Sequence, residues 1–93
     1  MDGLRVEWDP RKAAANLRKH GVRFEDAATV FSDERARLID DPDHSEQEER
    51  FLLLGLSSRL RLLVVAHCYR AEGAVIRIIS ARKATAAEAE QYP

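Results

Sequence analysis

Residues 74–82 read AVIRIISAR, an apolar run that carries Arg77 in its middle and closes on Arg82. Its valine and isoleucine content predicts a β-strand over residues 74–80, with Arg82 just past the end. An unpaired guanidinium buried on both faces of a sheet would cost on the order of several kcal/mol, so one face is expected to stay open to an anion such as phosphate. Two further apolar runs precede it, residues 51–56 (FLLLGL) and 60–69 (LRLLVVAHCY). The polar connections SSR and AEG between the three runs suit hairpins, which predicts an antiparallel meander.

Outward toward the N-terminus, Leu4, Val6 and Trp8 alternate with Arg5 and Glu7, the period of a short half-buried strand. Asp9 can accept from free helix amides and Pro10 fixes a helical φ, so a helix is expected over residues 10–20, closed by a left-handed Gly21. Phe24, Ala27, Ala28 and Phe31 then make one apolar stripe of a second helix, leaving at Ser32 and Asp33. Residues 36–40 can form another strand. DPDHSEQEE, residues 41–49, is polar and aperiodic and reads as an exposed loop. Thr85 and Glu88 have capping-box spacing and begin a short last helix that ends near Tyr92. The order predicts an α+β fold in which helices pack on one face of an antiparallel sheet.

Ninety-three residues suffice for one domain, residues 1–93, and exclude a cofactor domain joined to a substrate domain. No run is long enough to cross a bilayer, and the N-terminus lacks a basic segment followed by a long apolar one, so a cytoplasmic location is expected. The lone Cys68 excludes an internal disulfide and a multi-thiolate site. His20, His44 and His67 lack metal-ligand spacing, and neither a metal nor a cofactor is expected. The net charge of −1 hides an asymmetry. Residues 25–49 hold ten acidic side chains against Arg35 and Arg37, whereas residues 50–83 hold seven basic ones against Glu72, which suggests an acidic segment and a basic surface on one small body.

Lys12, Asn16 and Lys19 project from one side of the first helix, as an ordinary solvated face or as ligands of an anion. His20, in the last turn, suits capping of free carbonyls as well as proton transfer. Five residues separate Arg77 from Arg82, so a regular strand would put them on opposite faces. Neighbouring strands can bring Arg50, His67 and Arg77 onto one face, with register undetermined. Such a cluster suits RNA cleavage by the adjacent 2′-hydroxyl: arginines stabilise the phosphorane, His67 or His20 moves protons, and Glu49 acts as base or orients an arginine. The alternatives are a local Glu49–Arg50 ion pair and a half-buried, hydrogen-bonded His67. Tyr69 and Tyr92 suit base stacking or edge packing, Trp8 suits the core, and Cys68 reads as an inert thiol.

The blocks VEWDPRKAAANLRKHGVRFEDAATVF, DDPDHSEQEER, RLLVVAHCYR and RIISARKATAAEAEQY, taken in this order, resemble the BrnT family of toxins from bacterial type II toxin–antitoxin pairs over nearly the whole chain. The resemblance implies a RelE-like fold with two N-terminal helices on one sheet face and a short C-terminal helix. It implies an RNA-cleaving, metal-independent toxin that inhibits translation. Its partner would be a BrnA-like antitoxin with a ribbon-helix-helix DNA-binding region, the two forming a heterotetramer on operator DNA. Carried onto this chain, the family's polar positions fall on Lys12, Asn16, Lys19, His20, Glu49, Arg50, Arg70, Arg77, Ser80 and Arg82. On this reading His20, Glu49, Arg50, His67, Arg77 and Arg82 serve catalysis, and Lys12, Asn16, Lys19, Arg70 and Ser80 bind RNA. The charge-poor last helix leaves a rival open, a binding module that acts with its antitoxin in autorepression.

Overall fold

The computed structural model describes residues 5–41 and 49–93, so Leu4 and nearly all of the expected polar loop lie outside the described residues. Strand β1 (Arg5–Glu7) leads into helix α1 (Pro10–His20). The Asp9 carboxylate accepts from the Arg11 amide at 2.8 Å, and Gly21 takes the left-handed φ of 69° that returns its N–H to the Leu17 carbonyl. The cap, the first-position proline and the terminal glycine thus fix this helix as the sequence indicated. Helix α2 (Phe24–Ala28) is shorter than expected, because the chain tightens into a 3-10 turn over Thr29–Ser32. At the junction the Thr29 hydroxyl donates to the Asp26 carbonyl at 2.6 Å, adding to the bond that the Thr29 N–H makes there.

Strands β2 (Arg37–Ile39), β3 (Phe51–Leu56), β4 (Leu62–Arg70) and β5 (Val75–Lys83) complete a five-stranded sheet in the order β1-β5-β4-β3-β2. The meander from β2 to β5 is antiparallel, but β1 lies parallel to β5, with Arg5, Val6 and Glu7 opposite Val75, Ile76 and Arg77. The sheet is therefore mixed, which corrects the expectation of an all-antiparallel one. Antiparallel pairing needs only a tight turn, whereas β1 is separated from β5 by the rest of the fold and enters the edge from the other end. Helix α3 (Ala86–Ala89) opens with the anticipated capping box: the Thr85 hydroxyl accepts from the Glu88 amide at 3.1 Å, and the Glu88 carboxylate accepts from the Thr85 amide at 2.9 Å.

Both sheet faces are covered. On one face, Leu63, Val65, Ile78 and Ala81 meet Val22, Phe24, Ala27 and Val30 from the N-terminal helical region, and Trp8 packs edge-on against Phe24. On the other, Leu52, Leu54, Val64 and Ala66 are joined by Ile39, Leu62, Ile79, Ala84 and Tyr92. A fully buried apolar side chain of this kind stabilises by about 1.5–3 kcal/mol, so these two clusters hold the sheet between its covers. The C-terminal segment is pinned where it crosses the second face. Arg37 donates to the Gln91 carbonyl at 3.0 Å, and the Tyr92 hydroxyl donates to Asp33 at 2.7 Å.

Candidate functional site

The AVIRIISAR stretch lies in β5, which runs on to Lys83, so Arg82 belongs to the strand and does not follow it. Its pairing with β4 shifts register between Ala66 and His67: His67 stands opposite Ile78, whereas Ala66 stands opposite Ser80. One residue of β5, Ile79, is the extra residue of a bulge. An extra residue reverses the alternation of side chains beyond it. Arg77 stands opposite Cys68 and Arg82 opposite Val64, positions four apart on β4 that share a face. The two arginines therefore lie on the same face of the sheet, with Ser80 between them, where a regular strand would have opposed them.

Beside this stretch of β5 the neighbouring strand is missing, because β1 ends at Glu7 opposite Arg77. Helix α1 takes its place through one side chain. The Asn16 amide nitrogen donates to the Ala81 carbonyl at 2.8 Å and to the Val22 carbonyl at 3.0 Å, while its oxygen accepts from the Ala81 N–H at 3.0 Å. Asn16 is buried, only 6 % exposed, and does for Ala81 what a strand residue would do. Its amide, expected to bind RNA, is committed to backbone in this structure. The same docking places Lys12, Lys19 and His20 of α1 around a groove of about 220 Å³ whose opposite wall is Ile79 and Ser80. Five of the sequence-selected polar positions, Lys12, Asn16, Lys19, His20 and Ser80, meet here.

Each of the three arginines selected for catalysis faces a carboxylate. Arg77 donates to Glu7 at 2.6 Å, Arg50 to Asp41 at 2.9 Å, and Arg82 to both oxygens of Glu88 at 2.7 and 2.9 Å. The Arg77–Glu7 pair is about one-third exposed on both sides, so solvent screens it and it contributes little to stability. Glu88 is more enclosed. The bidentate Arg82 guanidinium, helped by the Thr85 amide, lowers its pKa from the usual 4.5 to about 2 against the opposing effect of burial. Fixed positive charge held by flanking carboxylates is preorganised for phosphate oxygens and is also partly neutralised while none is bound.

The expected meeting of Arg50, His67 and Arg77 does not occur. His67 stands opposite Phe51 and Ile78, on the face turned toward the N-terminal helices, while Arg77 stands opposite Cys68 on the other. Arg50 directly precedes Phe51, so alternation carries it to the Arg77 face. His67 has no exposed surface and is ringed by Phe31, Phe51 and Tyr69 with centroids at 4.9, 6.0 and 5.4 Å. Its Nδ1 meets the Val65 carbonyl at 3.1 Å and its Nε2 is without a partner. Burial lowers its pKa below the ordinary value and favours the neutral ring. Glu49 is exposed ahead of β3, and Arg70 ends β4 in the open, opposite Val75. Tyr92 is held by Asp33, whereas Tyr69 is exposed. Among the described residues no group of three or more histidine, cysteine, aspartate or glutamate side chains is placed to hold a metal ion.

Sequence reading missed Glu7 and the brace role of Asn16. The Glu7–Arg77 pair spans 70 residues and the Asn16–Ala81 bonds span 65, so local spacing signalled neither.

A family model described as ribonuclease toxin, BrnT, of type II toxin–antitoxin system matches residues 8–88. Among solved structures the chain is similar to the Brucella abortus ribonuclease toxin BrnT, whose crystal structure is known at 1.1 Å resolution. The identity is 21%, the TM-score is 0.66, and the match covers 88% of this chain and 97% of that one. At this identity the likeness concerns the α+β fold with its five-stranded mixed sheet. No curated protein matches.

Proposed function

From the premise that the chain belongs to the BrnT family of ribonuclease toxins of type II toxin–antitoxin systems, we propose that it is a metal-independent endoribonuclease that cleaves RNA at the strip formed by β5 and the α1 groove. The supporting observation is the bulge that sets Arg77, Ser80 and Arg82 on one face, with Ser80 also lining the groove of Lys12, Lys19 and His20. In the proposed reaction the 2′-oxygen of a nucleotide attacks the adjacent phosphorus and the 5′-oxygen of the next nucleotide leaves. The products are a 2′,3′-cyclic phosphate and a 5′-hydroxyl. The 2′-proton passes to a base and a proton is delivered to the leaving oxygen. Arg77 and Arg82 stabilise the charge that develops on the phosphorane, with Arg50 on the same face. Lys12, Lys19 and Arg70 neutralise flanking phosphates, and Ser80 adds a hydroxyl contact. His20 carries a proton in the groove and Glu49 is the second candidate. His67, sealed among aromatic rings, supports that face of the sheet.

The wider reading is a RelE-like, cytoplasmic toxin that stops translation and is held inactive by a BrnA-like antitoxin with a ribbon-helix-helix region, in a heterotetramer on operator DNA. Induced expression of the parent beside a folded Arg77→Ala, Arg82→Ala variant tests the core of it. Growth arrest with RNA fragments ending in cyclic phosphate is expected for the parent, and a loss of about two orders of magnitude or more in cleavage for the variant. Co-expression of the adjoining gene is expected to restore growth and to yield a stable complex. A second reading is favoured by the carboxylate on each arginine: a catalytically weak module that acts with its antitoxin in repression. Normal growth and intact RNA from a well-expressed, folded parent would select it.

A further inference from the structure

We infer that Asn16 is a positioning residue of the proposed ribonuclease: its amide stands in for a missing strand and holds the bulged register of β5 that builds the site. The inference rests on the proposed function and deepens it.

Three observations converge on this residue. First, β5 loses its neighbour at Arg77, so the N–H and C=O of Ala81 would otherwise face an open edge, and the Asn16 side chain satisfies both. Second, Ala81 lies two residues beyond the bulge residue Ile79, in the segment whose parity the bulge reverses. Clamping its backbone fixes that parity, and with it the side of the sheet on which Ser80 and Arg82 stand. Third, the remaining hydrogen bond, to the Val22 carbonyl, anchors the turn just after α1, so one side chain ties the end of the helix to the strand. Lys12, Lys19 and His20 consequently hold their place across from Ser80. Asn16 lines the groove but is only 6 % exposed, and its side-chain amide is spent on the Val22 and Ala81 backbone, so it acts through the residues that it positions.

Only the asparagine side chain does this in the observed geometry. An aspartate would keep the acceptor for the Ala81 N–H but would set a carboxylate oxygen against two carbonyl oxygens. Alanine would leave three buried backbone groups unpaired.

The test measures steady-state cleavage of a synthetic single-stranded RNA carrying a sequence that the parent cuts. The parent is compared with Asn16→Ala, Asn16→Ser and Val30→Ala. Serine retains one hydroxyl to bond the clamp should alanine not fold. Val30 is buried against β3 and outside the groove, so its variant matches a loss of stability without touching the clamp. Assays run well below every melting temperature, at equal folded fractions. We expect kcat to fall by about tenfold or more in the Asn16 variants with KM within about threefold, because long lysines tolerate a displaced helix and a transition state does not. Val30→Ala should keep the parent kcat. Asn16 variants as active as Val30→Ala overturn the inference while leaving the ribonuclease intact. A folded parent that cuts no RNA overturns both.

Discussion

His67 lies wholly inside the protein, yet one of its ring nitrogens meets nothing. Burial holds its pKa below 6.5, so the folded protein keeps the ring neutral where the unfolded chain would take up a proton. Stability from this source is therefore present above pH 6.5 and is lost as pH falls below it. The melting temperature should decline from pH 6.5 toward about pH 5, and His67→Phe, which fits the aromatic ring cluster, should flatten that decline. Equal slopes in the two proteins would show that His67 does not titrate on unfolding. Glu88 behaves alike in a more acid window. Its pKa of about 2 against 4.5 means that the folded state binds fewer protons, so its contribution is complete above pH 4.5 and disappears toward pH 2. Melting curves of Glu88→Gln should lack that component.

Gly55 shows at the level of the element why β3 reads FLLLGL. A Cβ built there would lie 2.6 Å from Val30 Cγ1 and 2.9 Å from Ala36 Cβ, so the 3-10 turn can approach the strand only over a glycine. Gly55→Ala should destabilise by about 1–3 kcal/mol in urea denaturation, with the midpoint lowered and the slope unchanged. Elements of this kind were largely legible. The cap at Asp9, the left-handed Gly21, the capping box of Thr85 and Glu88 and the three-strand meander all follow from interactions between residues close in sequence. The same local signals chose Lys12, Lys19, His20 and Ser80, which do converge. What was illegible is register. The clamp on Ala81 joins a side chain to backbone 65 residues away, the bulge at Ile79 is a one-residue slip between β4 and β5, and that slip decides whether Arg77 and Arg82 share a face. Alternation alone placed them apart and drew His67 toward Arg50 and Arg77.

For the molecule as a whole, the net charge of −1 conceals a division of labour. The segment from Arg50 to Lys83 carries seven basic side chains, and α1 adds Lys12 and Lys19 beside it. Binding to RNA through phosphates releases counterions, so affinity should fall steeply with salt. Replacing Lys12 and Lys19 by glutamine should lower the slope of log affinity against log salt by about 0.7 for each phosphate that is no longer neutralised, measured by fluorescence titration with single-stranded RNA. An unchanged slope would remove both lysines from the interface. The parallel pairing of β1 with β5 has a consequence for how the protein comes into being. A ribosome releases β1 and α1 well before β5, so Glu7 and Asn16 wait for Arg77 and Ala81 while the strands between them are made. A nascent or prematurely terminated chain lacks the strand that completes the groove. Order of manufacture thus decides when Arg77 meets its carboxylate and Ala81 its clamp, since neither contact can exist until β5 has been made.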